Sequence, residues 1–162
     1  MTNKTRAQAI VIQNGRVLFG YGKGVHYFIG GGAEEGETPE SAVLRELREE
    51  ANLAGTVLFR IDEPDIEIHH GPGSYYDGHV TFLVDVGEQS PRLGFDPEET
   101  ERPLEDRGLA GMEMVPLDQP TWFTWIDIRY LAALRSECNR REETFPWLDA
   151  VDGLLSLWRV SR

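Results

Sequence analysis

Glu46, Glu49 and Glu50 stand within one short stretch, with Arg45 and Arg48 interleaved among them. Placed on a helix at ~100° per residue with Val43 as origin, Glu49, Glu46 and Glu50 fall at ~240°, ~300° and ~340°. Leu47, Ala51 and Leu44 fall at ~40°, ~80° and ~100°, so an apolar stripe lies across from a patch of three carboxylates. Folding has no use for that patch, because like charges one turn apart destabilise a helix. Arg45, at ~200°, borders it one turn before Glu49, but one guanidinium does not neutralise three carboxylates. A hard divalent cation does: Mg²⁺ prefers carboxylate oxygens and completes its octahedron with water and phosphate oxygens. The competing reading is a merely solvated acidic face, which surface helices often carry.

The flanking residues say what must hold the patch. Thr38-Pro39-Glu40 is a helix start, with Thr38 as N-cap, Pro39 in the first helical position and Glu40 in the positive first turn. The helix runs to Ala51, and Asn52 suits the left-handed position that closes it. Upstream, Gly20, Gly22, Gly24, Gly30-Gly31-Gly32 and Gly36 form a glycine-dense stretch of the kind that approaches something closely. Before it, Ala7 to Gln13 and Arg16 to Tyr21 read as strands joined by an Asn14-Gly15 turn. After the helix, Thr56 to Ile61, Ile66 to His70 and His79 to Val86 read as strands, and Glu113 to Leu117 as a shorter one. Residues 87 to 111 form a long polar loop. The C-terminal part is helical, over Asp127 to Arg135 and Pro146 to Val160. In the second of these, Trp147, Leu148, Val151, Leu154, Leu155 and Trp158 form one face that reads as core. Strands, helix, strands, helix imply an α/β chain with a mixed sheet covered by helices.

Gly31, then Glu37 after five residues, then seven more before Arg45-Glu46-Leu47-Arg48-Glu49-Glu50-Ala51-Asn52-Leu53 resembles the Nudix box. Eight of the nine positions that the family specifies are matched, and at ordinary residue frequencies a chance match is on the order of one in ten million per window. Asn52 stands where the family has glycine, and Ile29 where many members have proline. The resemblance implies a Nudix-type α/β/α sandwich whose loop–helix–loop holds Mg²⁺ or Mn²⁺ against a diphosphate. By position, Glu46, Glu49 and Glu50 would be metal ligands with the Gly30 carbonyl. Arg45 would orient Glu49 or Glu37, and Glu37 would anchor the loop. The implied activity is hydrolysis of a nucleoside diphosphate or triphosphate derivative by attack of water on phosphorus. Glu46, Glu49 and Arg45 are the expected catalytic group, and Glu46 the first choice of base. Asp96, Glu98, Glu99, Glu101, Glu105 and Asp106 in the long loop, or Glu113 beyond it, are later acids that some relatives use in that role. A Nudix module that senses a nucleotide without cleaving it is the alternative.

Composition narrows the partners. The 162 residues carry 16 Lys+Arg against 28 Asp+Glu, a net charge of −12. Residues 34–50 hold seven acids and two arginines, and residues 96–106 six acids and one arginine, so most of the charge belongs to the box and the long loop. A chain of that sign is not built to bind nucleic acid or anionic membranes generally. One cysteine, Cys138, excludes an internal disulfide and fits a reducing cytosol. The expectation is one domain over residues 1–162, cytoplasmic, acting on a small nucleotide-type substrate, with neither DNA-binding domain nor membrane segment, and able to form a homodimer. For substrate contacts the candidates are weaker: His26, Tyr27 and Phe28 before the glycines, Tyr75, Tyr76, Trp122, Phe123 and Trp125 by stacking, and Lys23 and Arg16 for phosphate. His69 and His70, adjacent on a strand, would face opposite ways and share no site.

Overall fold

Asn14 and Gly15 adopt positive φ, 52° and 69°, as the hairpin signal requires, and the chain reverses there. The computed structural model describes residues 4–66, 76–94 and 109–160. The expected Ala7–Gln13 strand is two pieces, β1 (Lys4–Ile10) and β2 (Ile12–Gln13), which serve different sheets. Val11 is the crossing point. It is buried, and its carbonyl accepts the Leu18 amide at 3.0 Å.

From the turn, β3 (Arg16–Gly22) runs back to β4 (Val25–Tyr27), followed by β5 (Gly30–Gly32) and α1 (Pro39–Ala51). Then come β6 (Thr56–Arg60), β7 (Tyr76–Asp85), β8 (Gly111–Pro116), a single 3₁₀ turn (Pro120–Trp122), α2 (Trp125–Arg141) and α3 (Leu148–Val160). One sheet has the order β5-β1-β7-β6 and is mixed: β1 and β7 are parallel, the other pairs antiparallel. The second sheet is antiparallel, with β3 between β2 and β4 and also paired with β8. The first is the expected mixed sheet, and the antiparallel one stands beside it. Of the expected strand over Ile66–His70, only Ile66 lies within the described residues. It is buried in the core.

Alternation along the strands decides which helix covers which face. Ala7, Ala9, Val80, Phe82 and Val84 share a core with Ala42, Val43, Leu47 and Ala51 of α1. Ile10 and Leu83, from the intervening positions, join Tyr130, Leu131 and Leu134 of α2 and Val151, Leu154 and Leu155 of α3. The layers are helix, sheet and helices, the sandwich that the resemblance implies. The face of α3 read as core is core, with Trp147 and Trp158 packed against it. Helix α2 is longer than expected at both ends. Thr124 and Asp127 form a reciprocal capping box at its start, and Glu142 closes it at φ 56°.

Candidate functional site

Helix α1 begins and ends where its cap residues predict. Thr38 accepts the Ser41 amide at 3.1 Å, and Asn52 takes the left-handed conformation at φ 55°, ψ 36°. The Asn52 side chain donates to the Arg92 carbonyl at 3.0 Å, a bond that glycine has no side chain to make. Two further bonds, Arg92 N–H to the Ala51 carbonyl at 2.9 Å and Gly94 N–H to the Glu50 carbonyl at 2.6 Å, lay this segment against the last turn of α1. A Cβ at Gly94 would overlap the Glu49 carbonyl, so only glycine permits that approach. Gly94 was not a candidate in the sequence, where nothing distinguishes it from an ordinary loop glycine.

Arg45 is the hub of the acidic patch. Its Nε donates to Glu37 Oε2 at 2.8 Å, and its Nη2 donates to Glu37 Oε1 at 3.0 Å and to the Gly32 carbonyl at 3.2 Å. Its Nη1 donates to Glu46 Oε1 at 3.0 Å and to Glu49 Oε2 at 3.1 Å. The sequence left Glu49 and Glu37 as alternative partners, and the guanidinium holds both, with Glu46 as well. Glu37 Oε1 also accepts the Glu34 amide at 3.0 Å, which closes the loop before the helix. The hydrogen bond from Arg45 holds the Glu37 carboxyl below the ordinary carboxylate range. Burial pushes the Glu46 carboxyl up; Arg45 opposes that shift and the charge on Glu49 adds to it. A Cβ on Gly31 would overlap the Glu46 carboxylate, so the glycine makes the groove in which that side chain lies. Arg45 occupies the space between Glu46 and Glu49. Among the described residues no three acidic, histidine or cysteine side chains already converge as a closed metal cage.

The remaining candidates are dispersed. The loop acids Asp96, Glu98, Glu99, Glu101, Glu105 and Asp106 lie outside the described residues, as do His69, His70 and Tyr75. Glu113 sits on β8 opposite Phe19 and lines a cleft of about 230 Å³ with Tyr21, His26 and Trp122. Its neighbours Met112 and Met114 turn to the core closed by α1, so Glu113 faces away from that core. Arg16 stands by the β2–β3 turn and Lys23 at the tip of the β3–β4 hairpin, while Phe28 and Phe123 are core. Trp122 and Trp125 are exposed. Cys138 is buried in the core and burial raises its thiol, which removes it as a nucleophile.

His26 is tied to the fold rather than left open to a ligand. Its Nε2 lies 2.6 Å from Asp127 Oδ2, the same oxygen that accepts the Thr124 amide in the capping box of α2. That hydrogen bond raises the histidine pKa against the lowering effect of burial. A group raised on folding stabilises fully below its unfolded value, about 6.5, and the contribution is lost as pH rises through the folded value. Thermal melts from pH 6 to 9 should show that loss, and His26→Gln should flatten it, with a deficit on the order of 1–2 kcal/mol at the acid end. An unchanged profile in the variant would remove this role from His26.

The Nudix domain profile matches residues 3–134 of the chain, well over half its length. The chain belongs to the Nudix family. Membership places this Nudix protein among hydrolases of phosphorus-containing anhydrides. A nudix hydrolase family member from Chromobacterium violaceum is 24% identical, with 98% of this chain covering 92% of that one at a TM-score of 0.52. An ADP-ribose pyrophosphatase from Streptococcus suis is 18% identical over 73% of this chain and 77% of its own, with a TM-score of 0.51. A UDP-X diphosphatase is 17% identical and aligns with 74% of this chain at a TM-score of 0.54. The match spans about half, 53%, of that enzyme. At these identities the likeness is one of fold. No curated protein matches the chain in sequence. Among the described residues, no helix of the Nudix protein is long and apolar enough to cross a membrane.

Proposed function

We propose that this Nudix protein is a Mg²⁺- or Mn²⁺-dependent pyrophosphohydrolase that cleaves the diphosphate of a nucleoside diphosphate or triphosphate derivative. The observation that carries the reading is the focus of Glu37, Glu46 and Glu49 on the Arg45 guanidinium, with Glu46 seated in the groove that Gly31 leaves open. The donor set suits a hard cation: carboxylate oxygens from Glu46, Glu49 and Glu50 on one helix face, with the Gly30 carbonyl on β5 as a backbone candidate. When bound, such a cation neutralises phosphate charge and makes a bound water more acidic.

The chain's own residues supply the rest. Glu37, fixed by Arg45 and the Glu34 amide, holds the loop between β5 and α1 in one shape. Arg45 keeps Glu46 and Glu49 together and sets their spacing. Glu46 is the base: burial raises its carboxyl above the ordinary carboxylate value, which makes it a better proton acceptor. It takes the proton of the attacking water as the water's oxygen forms its bond to phosphorus and the bridging oxygen of the diphosphate leaves. The names of the two structural relatives, a UDP-X diphosphatase and an ADP-ribose pyrophosphatase, support a nucleoside diphosphate linked to a second group as substrate class.

The test is a panel of UDP-sugars, ADP-ribose, dinucleoside polyphosphates, oxidised dNTPs and capped RNA, assayed with Mg²⁺, with Mn²⁺ and with excess EDTA. Nucleoside monophosphate should be released from at least one member of the panel. Chelation should stop the release, and an excess of Mg²⁺ should restore it. Hydrolysis indifferent to EDTA, or none on any member, would overturn the reading.

A further inference from the structure

We infer that Arg6 binds a phosphate oxygen of the substrate, an assignment that rests on the hydrolase reading and adds a contact outside the Nudix box. Arg6 lies on β1 in register with Gly32 of β5 on one side and His79 of β7 on the other. Gly32 is the residue whose carbonyl takes Arg45 Nη2, so the Arg6 backbone is one strand away from the acidic hub.

Counting donors separates the two arginines. A guanidinium has five N–H groups. Arg45 spends all of them, on Glu37 twice and on Gly32, Glu46 and Glu49 once each, and has none for a ligand. Among the described residues Arg6 makes a single hydrogen bond, from Nη2 to the Phe28 carbonyl at 2.8 Å. Its guanidinium carbon lies 5.8 Å from the centre of the Tyr27 ring and 5.9 Å from that of Tyr76. Among the described residues no carboxylate comes within ion-pair distance of it. Arg6 is therefore a half-buried cation, oriented by a backbone carbonyl and two aromatic rings, with four donors unused and no salt bridge among the described residues. It is near enough to Glu46 to favour that carboxylate's charged form. The planar fork of a guanidinium matches two phosphate oxygens. Lys4, the other cation near Gly32, is exposed and presents only a solvated point charge.

The experiment measures affinity for α,β-methylene-ADP, which resists cleavage, by titration calorimetry with Mg²⁺ on the full chain, alongside kcat and KM on whichever panel substrate is turned over. Arg6→Gln should weaken probe binding by about 10–100-fold. It should raise KM by a similar factor with kcat within about threefold, and flatten the fall of affinity with added KCl. Arg6→Lys, which keeps charge and stem but loses the fork, should fall between, and it decides the matter if Arg6→Gln does not fold. Lys4→Ala should stay within about threefold of the parent. Probe binding by Arg6→Gln within twofold of the parent, Lys4→Ala equal to Arg6→Gln, or no binding by the parent would each overturn the assignment. The two readings fail separately. A parent that cleaves nothing yet binds the probe through Arg6 loses the hydrolase reading and keeps this one. A parent that cleaves while Arg6→Gln keeps its KM does the reverse.

Discussion

Glu46→Gln should keep the fold and lose turnover by about 10²–10⁴-fold, the span that a positioned acid–base group contributes. The side chain is 13% exposed, lies in the groove made by Gly31, and shares the Arg45 Nη1 with Glu49. Glutamine fills the same groove, and its amide oxygen still accepts from Arg45, so packing is conserved. What disappears is a largely buried negative charge whose desolvation and repulsion by Glu49 outweigh its pairing with Arg45. Melts at pH 7 should place the variant at or slightly above the parent, while kcat on the substrate found by the panel collapses. That pairing of preserved fold and lost rate marks a group held in place for chemistry. A variant that melts well below the parent would make Glu46 structural, and one that retains kcat would move the base elsewhere, the loop acids 96–106 being next in order.

The legible parts of this chain were those governed by local rules. Thr38, Pro39 and Asn52 each satisfy a backbone requirement within one or two residues of themselves, so the limits of α1 follow from the residues alone. The apolar stripe of α1 and that of α3 follow from helical period, and both are buried as read. The split at Val11 had no local signal. Ile10, Val11 and Ile12 are equally apolar, and only the pairing of β1 with β7 and of β2 with β3 tells them apart. The site divides in the same way. The carboxylates came into view because spacing along one helix is local. Arg6 did not, because its worth lies in Phe28, Tyr27 and Tyr76, drawn from 21 to 70 positions away along the chain.

Arg45→Ala should damage fold and activity together, which distinguishes it from Glu46→Gln. Five hydrogen bonds end on this guanidinium, and they join the loop at Glu37, the edge strand at Gly32 and the helix at Glu46 and Glu49. Removing it leaves Glu37 and Glu46, 14% and 13% exposed, without their cation. Breaking a buried pair from one side costs 3–5 kcal/mol; with Arg45 partly open to solvent and Glu49 half exposed, the expected loss is about 1–3 kcal/mol. The loss should depend on pH in a definite direction. Arg45 holds the Glu37 carboxyl below its unfolded value, about 4.3. The stabilisation is therefore present above that value and vanishes as pH falls through the lower folded one. Urea melts of parent and variant should differ by the full amount at pH 7 and converge toward pH 3. Arg45→Lys should recover only part of it, since an ammonium has three donors and no fork to divide among three carboxylates and a carbonyl. A gap that is constant from pH 7 to pH 3 would mean that Arg45 acts through packing of its stem. A lysine variant as stable and active as the parent would mean that charge alone, without the fork, suffices to hold the carboxylates.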